Sequence, residues 1–387
     1  MKKAVGIVIE YNPFHNGHKY HLDKAKELGD IVIGVMSGDY VQRGEPAFIN
    51  KWSRGEIALK EGIDILCELP SYYSTQSAEI FAKSSIGILK NLGVTTILFG
   101  SESSNIEKLK KILELEKNKE FNEEIRRNLD EGISYPNAYS LSIKKFLEKD
   151  IEINSNDILG IEYLRAIKYY DEKIEAQTLK RRAGGYYSQK EENNIMSATG
   201  IRKLIFENKS IENLVTKNSF EVLEKEKEKI TKISDFYPLI RYAILSKKEK
   251  LADYQDVENG LENRIYEMAL KYENHQEFFN NLITKRYTIG RIQRILIHIL
   301  LDITKADTNY LKENIPYIRI LGFSKKGREY LKTIEKNNDV KILTSFKNIK
   351  KILNEKEIKF LELNEKASII YKIINPYEDR KIPIIID

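Results

Sequence analysis

Along the first hundred residues, short uninterrupted apolar runs alternate with longer segments whose apolar positions recur every three or four residues. The runs Ala4–Ile9, Ile31–Met36, Ile63–Leu69 and Val94–Phe99 mostly lack polar alternation, the pattern of strands buried on both faces. Between them, amphipathic patterns predict helices over His18–Leu28, closed by Gly29; over Trp52–Lys60, ending at Gly62; and over Glu79–Leu89, leading to Gly93. Strands and helices in this alternation predict a doubly wound α/β fold with a parallel sheet. Residues 103–150 read as charged helices with a break at Pro136. Asn156 stands where it caps a helix over Ile158–Tyr169, and Ile174–Leu179 is the candidate last strand. Helical patterns dominate from Thr199 to about Ile303, and the tail past 310 is mixed. The shift predicts an α/β domain over residues 1–205 and a mainly helical C-terminal domain over residues 206–387.

Composition narrows the class. A chain of 387 residues fits two or three domains at roughly 150 residues each. The 64 basic and 58 acidic side chains leave +6, which permits an anionic partner such as RNA without demanding one. The single Cys67 excludes an intrachain disulfide or a multi-cysteine metal site. Inside an apolar run, it reads as a small buried thiol rather than a reactive one. No apolar stretch approaches the roughly 18 residues of a membrane span. Two N-terminal lysines precede only a short apolar run before Glu10, too little for a signal-peptide core. The expectation is a soluble cytoplasmic protein with no membrane contact.

The chemistry concentrates directly after the first run, in Glu10-Tyr11-Asn12-Pro13-Phe14-His15-Asn16-Gly17-His18. Neither GxxxxGK[ST] nor GxGxxG occurs, but H-x-G-H does; chance alone yields about 0.003 such matches at this composition. Ligands of doubly wound sheets bind beyond the carboxyl ends of the strands, where a following helix aims free N–H groups at an anion. Two imidazoles there can donate to a phosphate whose charge grows in a transition state, and Gly17 lets a nucleotide approach the backbone. Two other readings remain: a zinc site of His15, His18 and His21, for which no neighbouring Cys, Asp or Glu ligand set stands close, or simply capping histidines. Later in the chain, Ser197-Ala198-Thr199-Gly200-Ile201-Arg202 opens a helix with Ser197 as cap and places Arg202 within reach of an anion.

A strand followed by H-x-G-H resembles the nucleotidylyltransferase superfamily. Residues 197–202 are similar to its second phosphate motif, S-S-T-x-I-R, with Ala198 in place of the second Ser. Glu10–His18, Met36–Pro46, Asp64–Pro70, Asn156–Tyr163, Arg286-Tyr287, Arg291–Leu301 and Tyr317–Phe323 further resemble the tRNA(Met) cytidine acetate ligase family, across both expected domains. The resemblance implies a Rossmann-like fold. It also implies an ATP-dependent ligase that forms acetyl-adenylate from acetate and transfers the acetyl group to N4 of the wobble cytidine of elongator tRNA(Met). On this reading His15, His18 and Arg202 are catalytic. ATP is met by Ile7, Val8, Ile9, Glu10, Tyr11, Asn12, Pro13, Phe14, His15, Asn16, Gly17, His18, Lys19 and Tyr20, by Gly100 and Asn156 at the adenosine, and by Arg181, Arg182, Ser197 and Thr199 at the phosphates. Mg²⁺ would ride on the phosphates, with no protein ligand named, and DNA is not an expected partner.

For RNA, Arg291, Arg294 and His298 recur at helical spacing after Arg286 and Tyr287; guanidiniums suit phosphate and a tyrosine can stack on an unpaired base. His298, set in an apolar run, reads as a core histidine. Arg319, Lys325, Lys326 and Arg328 form a second basic candidate. Gln42 and Arg43 either line the acetate or cytidine site or, for Arg43, pair with Glu45. Trp52 reads as packed beneath that loop. Two rival functions stay open at this level: adenylylation of a small cofactor precursor, and a non-catalytic RNA-binding assembly factor.

Overall fold

The computed structural model describes residues 2–147, 153–180, 194–334 and 340–386. Its strands are β1 (Ala4–Ile9), β2 (Ile31–Ser37), β3 (Tyr40–Val41), β4 (Glu45–Pro46), β5 (Ile65–Leu69), β6 (Thr96–Ser101), β7 (Glu175–Lys180), β8 (Ile318–Ser324), β9 (Ile342–Leu343) and β10 (Ile384–Ile386). One eight-stranded sheet runs β10-β8-β5-β2-β1-β6-β7, with β9 beside β8. β3 and β4 form a separate antiparallel hairpin.

The five strands of the N-terminal half pair in parallel. Ala4 to Ile9 register against Ile31 to Met36, Ile33 to Ser37 against Ile65 to Leu69, and β6 against β1 and β7. The apolar strands β1, β2 and β5 lie almost wholly out of solvent, because the crossover helices cover both faces. At the edge, β7 carries Glu-Ala-Gln-Thr-Leu-Lys and is only partly covered, as an edge strand tolerates polar side chains.

Several expectations are corrected in detail. β6 begins two residues later than expected, which places Gly100 inside the strand opposite Leu179. The helix after residue 153 spans Ser155–Tyr170 with Asn154 at its cap position, so Asn156 lies in the first turn. The mixed tail past 310 adds strands to the sheet: β8 pairs antiparallel with β5, and β10 and β9 pair parallel with β8. The sheet therefore draws on both of the expected domains.

A buried ionic cluster fastens this C-terminal addition. Lys51 Nζ sits 2.8 Å from Glu68 Oε1 on β5 and 3.5 Å from Asp39 Oδ2, and donates to Ser368 Oγ at 2.8 Å. Arg319 of β8 meets Glu68 at 3.2 Å and Glu365 at 2.7 Å. Lys51, Asp39, Glu68 and Arg319 are all buried, so each charge depends on its partners. Arg319 is thus a core residue, which removes it from the expected second basic surface.

The order of connections fixes where a ligand site belongs. From β1 the chain steps to β2 and β5 on one side, then returns to β6 on the other. The reversal leaves a crevice at the carboxyl end of β1, where residues 10–18 lie.

Candidate active site

The helix Asn16–Leu28 begins two residues before the expected His18, because His15 is its own N-cap: Nδ1 accepts from Gly17 N at 3.0 Å. The His15 carbonyl also accepts from His18 N and Lys19 N at 2.8 and 3.0 Å. The two imidazoles stack, with centroids 3.7 Å apart and planes 27° from parallel. Tyr11 and Phe14, both buried, brace His18 at 5.0 and 5.9 Å between ring centres. A Cβ on Gly17 would stand 2.9 Å from His15 Cε1, so any side chain here would press the capping ring out of place as well as narrow the approach of a ligand. His21 turns away, its Nε2 3.2 Å from Leu98 O. Among the described residues no group of three His, Cys, Asp or Glu side chains is placed to hold a metal ion.

The second motif folds back onto the first. Ser197 Oγ accepts from Gly200 N at 3.2 Å and caps the helix Ala198–Phe206. From its first turns Arg202 donates to Asn12 O at 2.8 Å and to Thr199 Oγ1 at 3.3 Å. Asn16 secures the junction, its side-chain amide donating to Asn194 O and Asn213 O at 3.0 and 2.8 Å, while Ser219 Oγ donates to Phe14 O at 2.8 Å. The H-x-G-H loop and the Ser197 helix therefore form one cradle of capped helix N-termini, imidazoles and a guanidinium, suited to polyphosphate.

Not every expected ATP residue reaches this cradle with its side chain. Ile7, Ile9, Tyr11 and Phe14 point into core. Asn12 is structural, its Oδ1 accepting from Phe48 N at 2.6 Å. Val8, Lys19 and Tyr20 are partly covered, and Lys19 pairs with Asp23 one turn on. Pro13 follows Asn12 through a cis peptide bond. Asn156 Nδ2 donates to Glu102 Oε1, two residues along the chain from Gly100. Arg181 and Arg182 lie outside the described residues.

Glu10, at the mouth of β1, joins the cradle to the loop after β2. Its Oε1 accepts from Gln42 N at 2.8 Å. Burial pushes its carboxyl above the usual range, an effect that this N–H and the charges of Arg54, Arg43 and Arg202 offset only in part. The buried Arg54 spans Glu10 O and Ser37 O at 2.8 and 2.9 Å and holds Gly38 O as well. Sequence reasoning missed Arg54, whose position inside a helical pattern carries no signal of a loop anchor. Trp52 is buried and donates to Asp379 at 2.9 Å, as a residue packed beneath the loop. Cys67 is buried, and burial raises its thiol pKa.

The expected RNA residues gather next door. Arg286 and Arg291 each reach Glu258, at 2.7 and 2.5 Å, and Tyr287 donates to it at 3.1 Å. Burial alone would raise the Glu258 carboxyl; Arg291, Tyr287 and Arg286 outweigh it and hold it below its ordinary value. One turn further, Arg294 stands 3.9 Å from Asp256 and is turned inward, so it is the least available of the four. His298 is core, as expected, its ring nitrogens 3.2 Å from Gln255 O and 2.8 Å from Thr75 O. The helix Ile289–Leu301 bears on the active-site loop itself: Gln293 Nε2 donates to Glu45 Oε1 at 3.0 Å. Glu45 is thereby engaged from the helical half. The Arg286–Arg294 cluster and the cradle flank one loop.

A helix-capping histidine stacked on a second one at the switch point of a doubly wound sheet, faced by an arginine from another capped helix, is an arrangement suited to binding phosphate. The family described as HIGH Nucleotidyl Transferase matches residues 1–382, and the chain belongs to it. It is similar to a tRNA(Met) cytidine acetate ligase of Fusobacterium nucleatum, 48% identical over 99% of both chains. Another protein of that name, from Caldicellulosiruptor saccharolyticus, is 41% identical over 96% of this chain and 94% of its own. Among solved structures, Thermotoga maritima TmcAL superposes with a TM-score of 0.91 without ligand and 0.89 bound with alpha-thio ATP. Both are 31% identical, over 99% of each chain.

Proposed function

We propose that this protein is an ATP-dependent ligase that activates acetate as acetyl-adenylate and transfers the acetyl group to N4 of the wobble cytidine of elongator tRNA(Met). The observation that carries the reading is the cradle: stacked His15 and His18 at one helix start, with Arg202 and Thr199 at another, held together through Asn12. Near full-length similarity to proteins named for this reaction supports the substrate pair.

In the first step an acetate oxygen attacks the α-phosphorus of ATP as the bond to pyrophosphate breaks. Such a step depends on positioning and charge stabilisation rather than on a protein nucleophile. His15 and His18 donate to the phosphate oxygens, and Arg202 neutralises the leaving pyrophosphate. Gly100 and Asn156, at the carboxyl end of β6, border the adenosine. In the second step the cytidine N4 attacks the acetyl carbonyl, AMP leaves, and the nitrogen gives up a proton. The described residues supply no three-ligand metal set, so Mg²⁺ would be held mainly by the phosphates. Arg286, Tyr287, Arg291 and Arg294 hold the RNA beside the loop that carries Gln42 and Arg43. The reading places the enzyme in the cytoplasm with its tRNA; no helix among the described residues is long and apolar enough to cross a membrane.

The test is acetate-dependent release of pyrophosphate from ATP by the full chain. Release that requires acetate, and that falls at least a hundredfold in Arg202→Ala, is the expected result. Release independent of acetate, or untouched by Arg202→Ala, contradicts it.

A further inference from the structure

This inference rests on the reading of Arg286, Tyr287 and Arg291 as the RNA-facing cluster, and concerns how that cluster is controlled. The three side chains converge on one anion. Arg286 Nη2 lies 2.7 Å from Glu258 Oε2, Arg291 Nη2 lies 2.5 Å from Oε1, and the Tyr287 hydroxyl donates to Oε2 at 3.1 Å. Both guanidiniums also lie against the Tyr287 ring, 5.8 and 5.3 Å from its centre. Two guanidiniums on two oxygens of one anion, beside an aromatic face, is the arrangement that receives a phosphate next to an unpaired base.

The place is built for exchange rather than permanent closure. It is the floor of an open cavity of about 520 Å³, also lined by Lys305 and Asp256. The Glu258 side chain keeps 34% of its exposure, and Arg286 keeps 62%. Glu258 sits on a short loop between Tyr254, which bridges to Thr304, and the helix Leu261–Lys271. Val257 and Leu261 on either side are buried in the core, whereas Gly260, with φ +88, has open space where a side chain would stand.

We propose that Glu258 is an internal stand-in for an RNA phosphate: its carboxylate occupies Arg286 and Arg291 in the free enzyme and is displaced when tRNA binds. An RNA phosphate must compete with this carboxylate, so nonspecific RNA is held less tightly than the bare arginines would hold it. Arg294, one helical turn beyond Arg291, and Gln293, bonded to Glu45, place the exchange site one turn from the active-site loop.

The test compares the wild-type full chain with Glu258→Gln, Glu258→Ala and Arg291→Ala. Affinity for unfractionated tRNA is measured by filter binding between 25 and 200 mM salt, with thermal unfolding as the fold check. Both Glu258 variants should bind on the order of three- to tenfold tighter at low salt. The slope of log affinity against log salt should steepen by about 0.7 to 0.9, one more net positive contact. Unchanged or weaker binding by either folded variant overturns the proposal, because the carboxylate then orients the arginines rather than competing with RNA. Arg291→Ala separates this from the reading beneath it. If that variant binds as tightly as wild type with the same salt slope, RNA docks elsewhere. If it binds more weakly while the Glu258 variants do not tighten, only the exchange fails.

Discussion

Gly44 is where the helical half touches the active-site loop, and replacing it with alanine tests whether the two act as one assembly. The residue has φ +73, and a Cβ there would stand 2.5 Å from Gln293 C and 2.6 Å from Arg294 Cα. Ordinary carbon contacts lie near 3.5–4.0 Å, so the helix Ile289–Leu301 must retreat by about 1 Å. Left-handed backbone costs a non-glycine residue about 1–2 kcal/mol, and overpacking against backbone adds about 1–3 kcal/mol. Gly44→Ala should therefore destabilise the protein by about 2–5 kcal/mol in denaturant unfolding. Gly132→Ala is the control, with φ +80 and nothing within 4 Å; it should lose only the backbone part, about 1–2 kcal/mol. The functional readout is the ratio of partial reactions. Acetyl transfer to tRNA should fall at least tenfold more than acetate-dependent pyrophosphate release, since the Gln293–Glu45 bond holds the RNA side to the loop. Equal destabilisation by the two glycine variants, with wild-type transfer in Gly44→Ala, would refute the coupling.

Three further outcomes follow from named contacts. His18→Ala should lower pyrophosphate release by about 10²–10³-fold while filter binding shows tRNA affinity within a factor of two. Cys67→Ser should turn over normally and lose about 1–2 kcal/mol in denaturant unfolding, because a hydroxyl replaces a buried thiol among apolar neighbours; a folded, inactive variant would reopen a thioester route. Asp302 accepts from Lys247 and Tyr254, both at 2.7 Å, and also from Lys366. Burial raises its carboxyl, but these partners prevail and lower it from 3.8 to about 2. Its contribution to stability is thus present above pH 4 and is lost as pH falls from about 4 to about 2. Asp302→Asn should lower the unfolding midpoint at pH 7, and the gap from wild type should close across that window.

Legibility in the sequence followed the range of the interactions. β1, β2 and β5 were readable because burial on both faces leaves an uninterrupted apolar run, and the H-x-G-H loop was readable because its parts are neighbours in the chain. The same locality makes the Ser197 cap predictable. β8 was not legible as a sheet strand: Arg319 interrupts Ile318–Ser324, and its charge is accommodated by Glu365 and by Glu68, the latter 251 residues away. Asn156 was misplaced by two positions because Asn154, Ser155 and Asn156 are all good caps, and the choice falls to how the helix docks. At the RNA cluster, the spacing of Arg291 and Arg294 showed which residues share a helix face. It held no sign that Glu258 lies between Arg286 and Arg291, or that Arg294 turns toward Asp256. Arg54 escaped for the same reason, since its acceptors are backbone carbonyls on two separate strand ends.

The most direct measurement is transfer of labelled acetate to unfractionated tRNA by the purified protein with ATP, followed by nucleoside digestion. The expected result is ATP-dependent label in N4-acetylcytidine, recovered from tRNA(Met) and reduced at least about a hundredfold in His18→Ala. Label absent from RNA, with pyrophosphate released instead against a small phosphate ester or another acid, would contradict the acetate-to-cytidine assignment.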